Sequence, residues 1–142
     1  MDIEGVRFVD SLEGVSPINL HGFFVGWPNP PSPETHLKLL EGSDHFWLAV
    51  EENSGDVAGF ITAITDGVLS AYISLVEVLP EHQGRGIGRE LTRRMIDQLK
   101  HLYIIDLVCD MKLQSFYASL GMTPGPGMMI RNYDHQAGVD RA

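Results

Sequence analysis

The chain has little of several things, and each shortage removes a class of function. Among 142 residues there is one cysteine, Cys109, so no internal disulfide and no multi-cysteine zinc site can form. The six histidines are scattered without metal-ligand spacing, and no metal is expected. No apolar run approaches the ~20 residues of a membrane span. The first residues, Met1-Asp2-Ile3-Glu4-Gly5, place acids where a secretory signal carries basic residues, and the cytoplasm is the expected compartment. Basic residues are outnumbered, with 10 Lys and Arg against 19 Asp and Glu for a net charge of −9. Binding to a nucleic-acid backbone, which needs a basic surface, is not expected. Internal repeats and low-complexity segments are also missing.

What is present is an ordinary globular composition, 44% apolar and 20% charged, in a length that suits one domain. Five of the ten basic residues, Arg85, Arg89, Arg93, Arg94 and Lys100, gather in one stretch and make an anion-friendly patch on an acidic body.

The element order follows from periodicity and punctuation. Val6 to Val9 reads as a strand, followed by an irregular, proline-rich stretch from Ser16 to Pro33. Ser32-Pro33-Glu34 supplies an N-cap, a first-turn proline and a first-turn acid for a helix that Gly42 stops. Phe46 to Glu51, Val57 to Ile64 and Leu69 to Val78 read as antiparallel strands, joined by the turn residues Asn53-Ser54-Gly55-Asp56 and Asp66-Gly67. Ile87, Leu91, Met95 and Leu99 recur every fourth position and predict an amphipathic helix. Tyr103 to Cys109 is an apolar run suited to a parallel crossover strand. Leu113, Phe116, Tyr117 and Leu120 predict a further helix, with Asp110 as N-cap and Gly121 as its stop. Met128 to Tyr133 reads as a last strand, and the tail beyond it as frayed. The helical stretches exclude an all-antiparallel sandwich.

The chemistry concentrates in Gln83-Gly84-Arg85-Gly86-Ile87-Gly88, set between a strand and a helix. Alternating glycines at a helix start let backbone N–H groups and the helix dipole converge on an anion. Arg89 stands where a dinucleotide fingerprint has its third glycine, and no Gly-Lys-Ser/Thr follows, so neither NAD nor ATP is indicated. The stretch from Val78 to Gly88 resembles the acetyl-CoA loop of the GNAT superfamily of acetyltransferases: Gln or Arg, two residues, Gly, one residue, Gly or Ala. Downstream, Phe116-Tyr117-Ala118-Ser119-Leu120-Gly121-Met122 is similar to a later helix of that family.

That resemblance implies an α/β (α+β) fold, a mixed and largely antiparallel sheet flanked by helices, with a β-α-β unit that binds acetyl-CoA. It implies a single domain over 1–142, with 1–45 shaping the acceptor side, 46–133 forming the acetyl-CoA core and 134–142 a flexible tail. The loop amides of Gln83, Gly84, Arg85, Gly86, Ile87, Gly88 and Arg89 would hold the pyrophosphate. The pantetheine arm would run beside Val76 and Val78, with Phe116 close to it, and a backbone N–H near Val78 would meet the developing oxyanion. Tyr117 would face the sulfur and protonate the leaving thiolate. The implied reaction is acetyl transfer to a primary amine, with a small-molecule substrate expected and a homodimer left open. A protein lysine or N-terminal acetyltransferase, or a non-catalytic acyl-CoA sensor, are the alternatives.

Other roles stay open at this level. Glu77 breaks the alternation Ile73, Leu75 and is the leading general base, at a bulge or facing a cleft, against a plain reading as an exposed strand-end acid. Asp106, an acid inside an apolar strand, is its rival, and a water chain the third choice. Tyr117 also completes an apolar helical face, which is the core reading. Arg85 and Arg89 are spaced to reach CoA phosphates, whereas Arg93 and Arg94 suit a solvated face. Cys109 reads as a small buried thiol and His82 as surface. Phe24 and Trp27, in Phe23-Phe24-Val25-Gly26-Trp27, are either packing for the irregular stretch or the wall of the acceptor pocket.

Overall fold

The computed structural model describes residues 2–139. Five strands form one sheet in the order β1 (Val6–Val9), β2 (His45–Glu51), β3 (Val57–Thr65), β4 (Ser70–Val78), β5 (Ile104–Asp106). The first four pair antiparallel and β5 runs parallel to β4, with α2 (Ile87–Leu99) as the crossover between them. The expected mixed sheet with a β-α-β unit is therefore the fold. Among the described residues, no helix is long and apolar enough to cross a membrane.

The turns close through local hydrogen bonds, backbone in one and side-chain in the other. Gly55 N–H donates to the Glu51 carbonyl at 2.8 Å between β2 and β3. Between β3 and β4 the Asp66 carboxylate accepts the N–H groups of Val68, Leu69 and Ser70, and those bonds lower its pKa to about 2. Before β2, α1 (Pro33–Gly42) begins at Ser32, whose hydroxyl accepts the Thr35 N–H at 3.1 Å.

Strand alternation sends side chains to two cores. On one face Ala49, Ile61, Ala63, Ala71 and Ile73 pack against Ile87, Leu91, Met95 and Leu99 of α2. On the other, Leu48, Val50 and Phe60 meet Leu20, Phe23, Phe24 and Leu40 from α1 and the segment before it.

Three expected elements come out differently. The run from Tyr103 to Cys109 yields only the three-residue β5, because β4 pairs with it across Ser70 to Tyr72 and the two strands then part. The helix expected from Leu113 shrinks to α3 (Gln114–Ala118) after a 3₁₀ turn, Met111–Leu113; Leu113 is exposed, and the Asp110 side chain makes no cap bond. Met128 to Tyr133 is not a strand: Met128 is 99% and Ile130 80% exposed, and no strand of the sheet pairs with them. Pro124 and Pro126 precede the segment and carry no N–H for a ladder. In the described part of the tail, the Asn29 N–H donates to the Gln136 side chain at 2.9 Å. Positions 140–142 of the expected tail lie outside the described residues.

His36 of α1 is fully buried among Phe60, Phe24 and Phe23, with ring centroids 4.4, 5.0 and 5.2 Å away. Both ring nitrogens lack a hydrogen-bond partner among the described residues, and burial lowers its pKa from 6.5 to about 4. The unfolded chain therefore takes up this proton as pH falls through 6.5 while the folded protein refuses it until about 4. Stability from this group is complete above pH 6.5 and drains away toward pH 4, by about 3 kcal/mol. Urea unfolding at pH 7 and pH 4 is expected to show the native protein losing about that much more stability than a His36→Leu variant.

Candidate active site

β4 hands over to the glycine loop through a 3₁₀ turn, Pro80–His82, and the Gln83 side-chain amide donates back to the Val78 carbonyl at 3.1 Å. Gly84 and Gly86 have φ of 81° and 86°, the left-handed region that side chains oppose. Gly86 is the N-cap of α2 and accepts the Glu90 N–H at 3.0 Å as the first helical bond. The N–H groups of Ile87, Gly88 and Arg89 thus start the helix without an intrahelical acceptor, and with no capping side chain in front of them. The Ile87 side chain is buried in the α2 core, which leaves only its N–H for a ligand.

Beside this end of α2 the sheet is open. Residues 73–78 of β4 have β3 on one side and no strand on the other, because the β5 pairing stops at Tyr72. Val76 and Val78 lie on this unpaired stretch, half-buried against the α2 core. α3 packs on the start of α2. A β-carbon at Gly88 would stand 4.0 Å from Phe116 Cζ, and Arg89 Nη1 donates to Ser119 Oγ at 2.9 Å. Tyr117, 8% exposed, sets its ring 5.0 Å from that of Phe116. Its hydroxyl makes no hydrogen bond among the described residues, unlike that of an ordinary core tyrosine. Burial raises its pKa, with nearby Cys109 adding to the effect, so the phenol keeps its proton.

Arg85 and Arg89 do not share a row. Arg85 turns back onto the protein body, 2.9 Å from Glu51 and 3.0 Å from the Glu4 carbonyl, with His82 against the same carboxylate at 3.2 Å. His82 is accordingly part of a charged cluster that anchors the loop to β2, not a bare surface residue. Arg93 lies on the solvated face as expected, 51% exposed, but Arg94 does not: both bind the buried Glu90 carboxylate, at 2.7 and 2.6 Å, and Arg94 lies over Phe8 and Trp47. Hydrogen bonds from Arg93, with Arg94 assisting, lower the Glu90 pKa to about 2.

The acids diverge as well. β4 carries a bulge at Ser74, where Thr62 pairs with Leu75 and Ala63 with Ile73. The extra residue reverses the alternation, so Glu77 leaves the α2 face and points with its partner Phe60 toward α1. There its carboxylate accepts the Phe24 N–H at 2.8 Å and the Val25 N–H at 3.3 Å. Burial raises its pKa against the opposing pull of those two N–H groups. Asp106 is exposed at the end of β5, and the argument from a costly buried acid does not apply to it. Cys109 is half-buried. Phe24 is buried in the second core, whereas the Trp27 ring lies tilted against it at 4.9 Å and keeps 38% of its surface in solvent. Glu51, Glu90 and Ser119 were not singled out by any sequence signal; their roles come from partners across the fold.

Residues 12–122 match the Acetyltransferase (GNAT) family. A Deinococcus radiodurans R1 protein of solved structure, provisionally described as an acetyltransferase, is 42% identical, with a TM-score of 0.94 over 99% of this chain and 98% of that one. GCN5-related N-acetyltransferase 1, chloroplastic, of Arabidopsis thaliana is 30% identical over 88% of this chain and 66% of its own length. Serotonin N-acetyltransferase 2, chloroplastic, of Oryza sativa subsp. japonica is 32% identical over 72% of this chain and 52% of its own length. The chain spans less than two thirds of the length of these curated relatives. With a family match over most of its length, the chain belongs to the acetyltransferase (GNAT) family.

Proposed function

We propose that this protein is an acetyl-CoA-dependent N-acetyltransferase that acetylates the primary amine of a small molecule. The observation that carries the reading is the open edge of β4 leading to the free first-turn N–H groups of α2, with α3 and its Tyr117 packed on the start of that helix. The free N–H groups of Ile87, Gly88 and Arg89, with the helix dipole, hold the pyrophosphate. The unpaired backbone of residues 73–78 lies alongside the pantetheine arm, and an N–H near Val78 meets the oxygen that gains charge as the amine adds. Tyr117, protonated and unpartnered, gives its proton to the departing thiolate, whose parent thiol has an ordinary pKa of ~8.5.

Residues 46–133 serve as the acetyl-CoA core, and the segment before them shapes the acceptor side. An amine with an apolar or aromatic body suits the exposed Trp27, and a relative named for serotonin acetylation supports that class. Incubation with acetyl-CoA and a panel of small amines, following free thiol, tests the reading. Amine-dependent thiol release is expected. Thermal stabilisation by acetyl-CoA without release for any amine would make the protein a sensor, and release only with peptides would make it a protein acetyltransferase.

A further inference from the structure

Phe24 is the only non-glycine among the described residues with a left-handed backbone, φ 64°, between Gly22 at 90° and Gly26 at 82°. A left-handed residue turns successive backbone N–H groups toward one point and makes a concavity for an anion. Here the anion is supplied from 52 and 53 positions along the chain, as both Glu77 oxygens take the Phe24 N–H, at 2.8 and 3.0 Å, and Oε2 also takes that of Val25 at 3.3 Å. The turn then closes through the Trp27 N–H, which donates to the Phe24 carbonyl at 3.1 Å. The Phe24 ring is locked in the core against His36 and Phe60, so the turn displays the side chains of Val25 and Trp27, and Trp27 is the aromatic one.

We propose that Glu77 is a positioning residue: it holds the Phe24–Trp27 turn so that Trp27 forms a wall for the apolar or aromatic body of the acceptor, and it is not the group that deprotonates the amine. This rests on the acetyltransferase reading above. A carboxylate whose two oxygens bind three times to backbone N–H groups is oriented by the loop, and the bulge at Ser74 is what aims it there.

Two measurements on the full chain decide it. Hydrogen exchange at the Phe24 and Val25 amides is expected to accelerate by at least about tenfold in Glu77→Ala, with the α2 amides unchanged. Steady-state kinetics with 2-phenylethylamine should show Glu77→Gln raising the amine KM by about tenfold, with kcat within about twofold and the acid limb of the kcat profile kept. Trp27→Ala should raise the same KM and leave the Phe24 and Val25 exchange as in the native protein. A kcat lowered by about 100-fold at constant KM, with the acid limb gone, would make Glu77 the general base and overturn the proposal. Unaltered exchange in Glu77→Ala would overturn it too. If the native protein acetylates no amine, the acetyltransferase reading fails, and unaltered or accelerated exchange still decides whether Glu77 holds the turn.

Discussion

Gly86→Val is expected to abolish acetyl-CoA binding in calorimetry. The cause is conformational: a β-carbon at this position would meet nothing closer than Ile3 Cδ1 at 3.9 Å, so there is no clash to relieve. What valine cannot tolerate is φ 86°, since a β-branched residue in the left-handed region costs about 1–3 kcal/mol or more. The chain escapes that cost by rotating the peptide that starts α2, and the N–H groups of Ile87 and Gly88 then leave the point on which they converge. An affinity loss of at least about 100-fold follows from the strain together with the lost anion contacts. Far-UV circular dichroism should stay native, because the α2 core residues Leu91, Met95 and Leu99 are untouched. Retained binding in a folded variant would remove the loop from the cofactor site.

Tyr117→Phe is expected to lower kcat by about 10²–10³ and to leave the acetyl-CoA KM nearly unchanged, within the range of general acid catalysis. The ring keeps its place beside Phe116, so packing survives the substitution. The hydroxyl has no hydrogen-bond partner among the described residues, so its removal orphans nothing, and thermal stability should be equal or slightly higher. A structural tyrosine would behave in the opposite way, losing stability and keeping its rate. Because burial raises the Tyr117 pKa, the native enzyme should hold this proton past the ordinary tyrosine value of ~10, and no Tyr117-dependent limb should fall near neutrality. An unaltered turnover in Tyr117→Phe would return the residue to the core.

Much of the fold was legible because its signals are local. The cap at Ser32, the turns at Asn53 to Asp56 and Asp66-Gly67, and the four-residue spacing of Ile87, Leu91, Met95 and Leu99 each act over a few positions, and each forms as read. The glycine loop was legible for the same reason: left-handed backbone at Gly84 and Gly86 is a local demand that only glycine meets cheaply. Two segments that lack a full partner strand were misread. Tyr103 to Cys109 and Met128 to Tyr133 have strand composition, but a strand needs a neighbour, and the sheet pairs only Ile104 to Asp106.

The sequence by itself thus determined the family, the glycine loop at the start of α2 and the order of the main elements. Only the tertiary structure decided where the charged side chains act. Arg85 is held by Glu51, 34 positions away, and Glu77 by the Phe24 amide, 53 away. One extra residue at Ser74 sent Glu77 to the opposite face of the sheet. Such outcomes turn on register and on long-range contact, and neither leaves a periodic trace in a single chain, because a one-residue shift reverses every side chain beyond it while the composition stays the same.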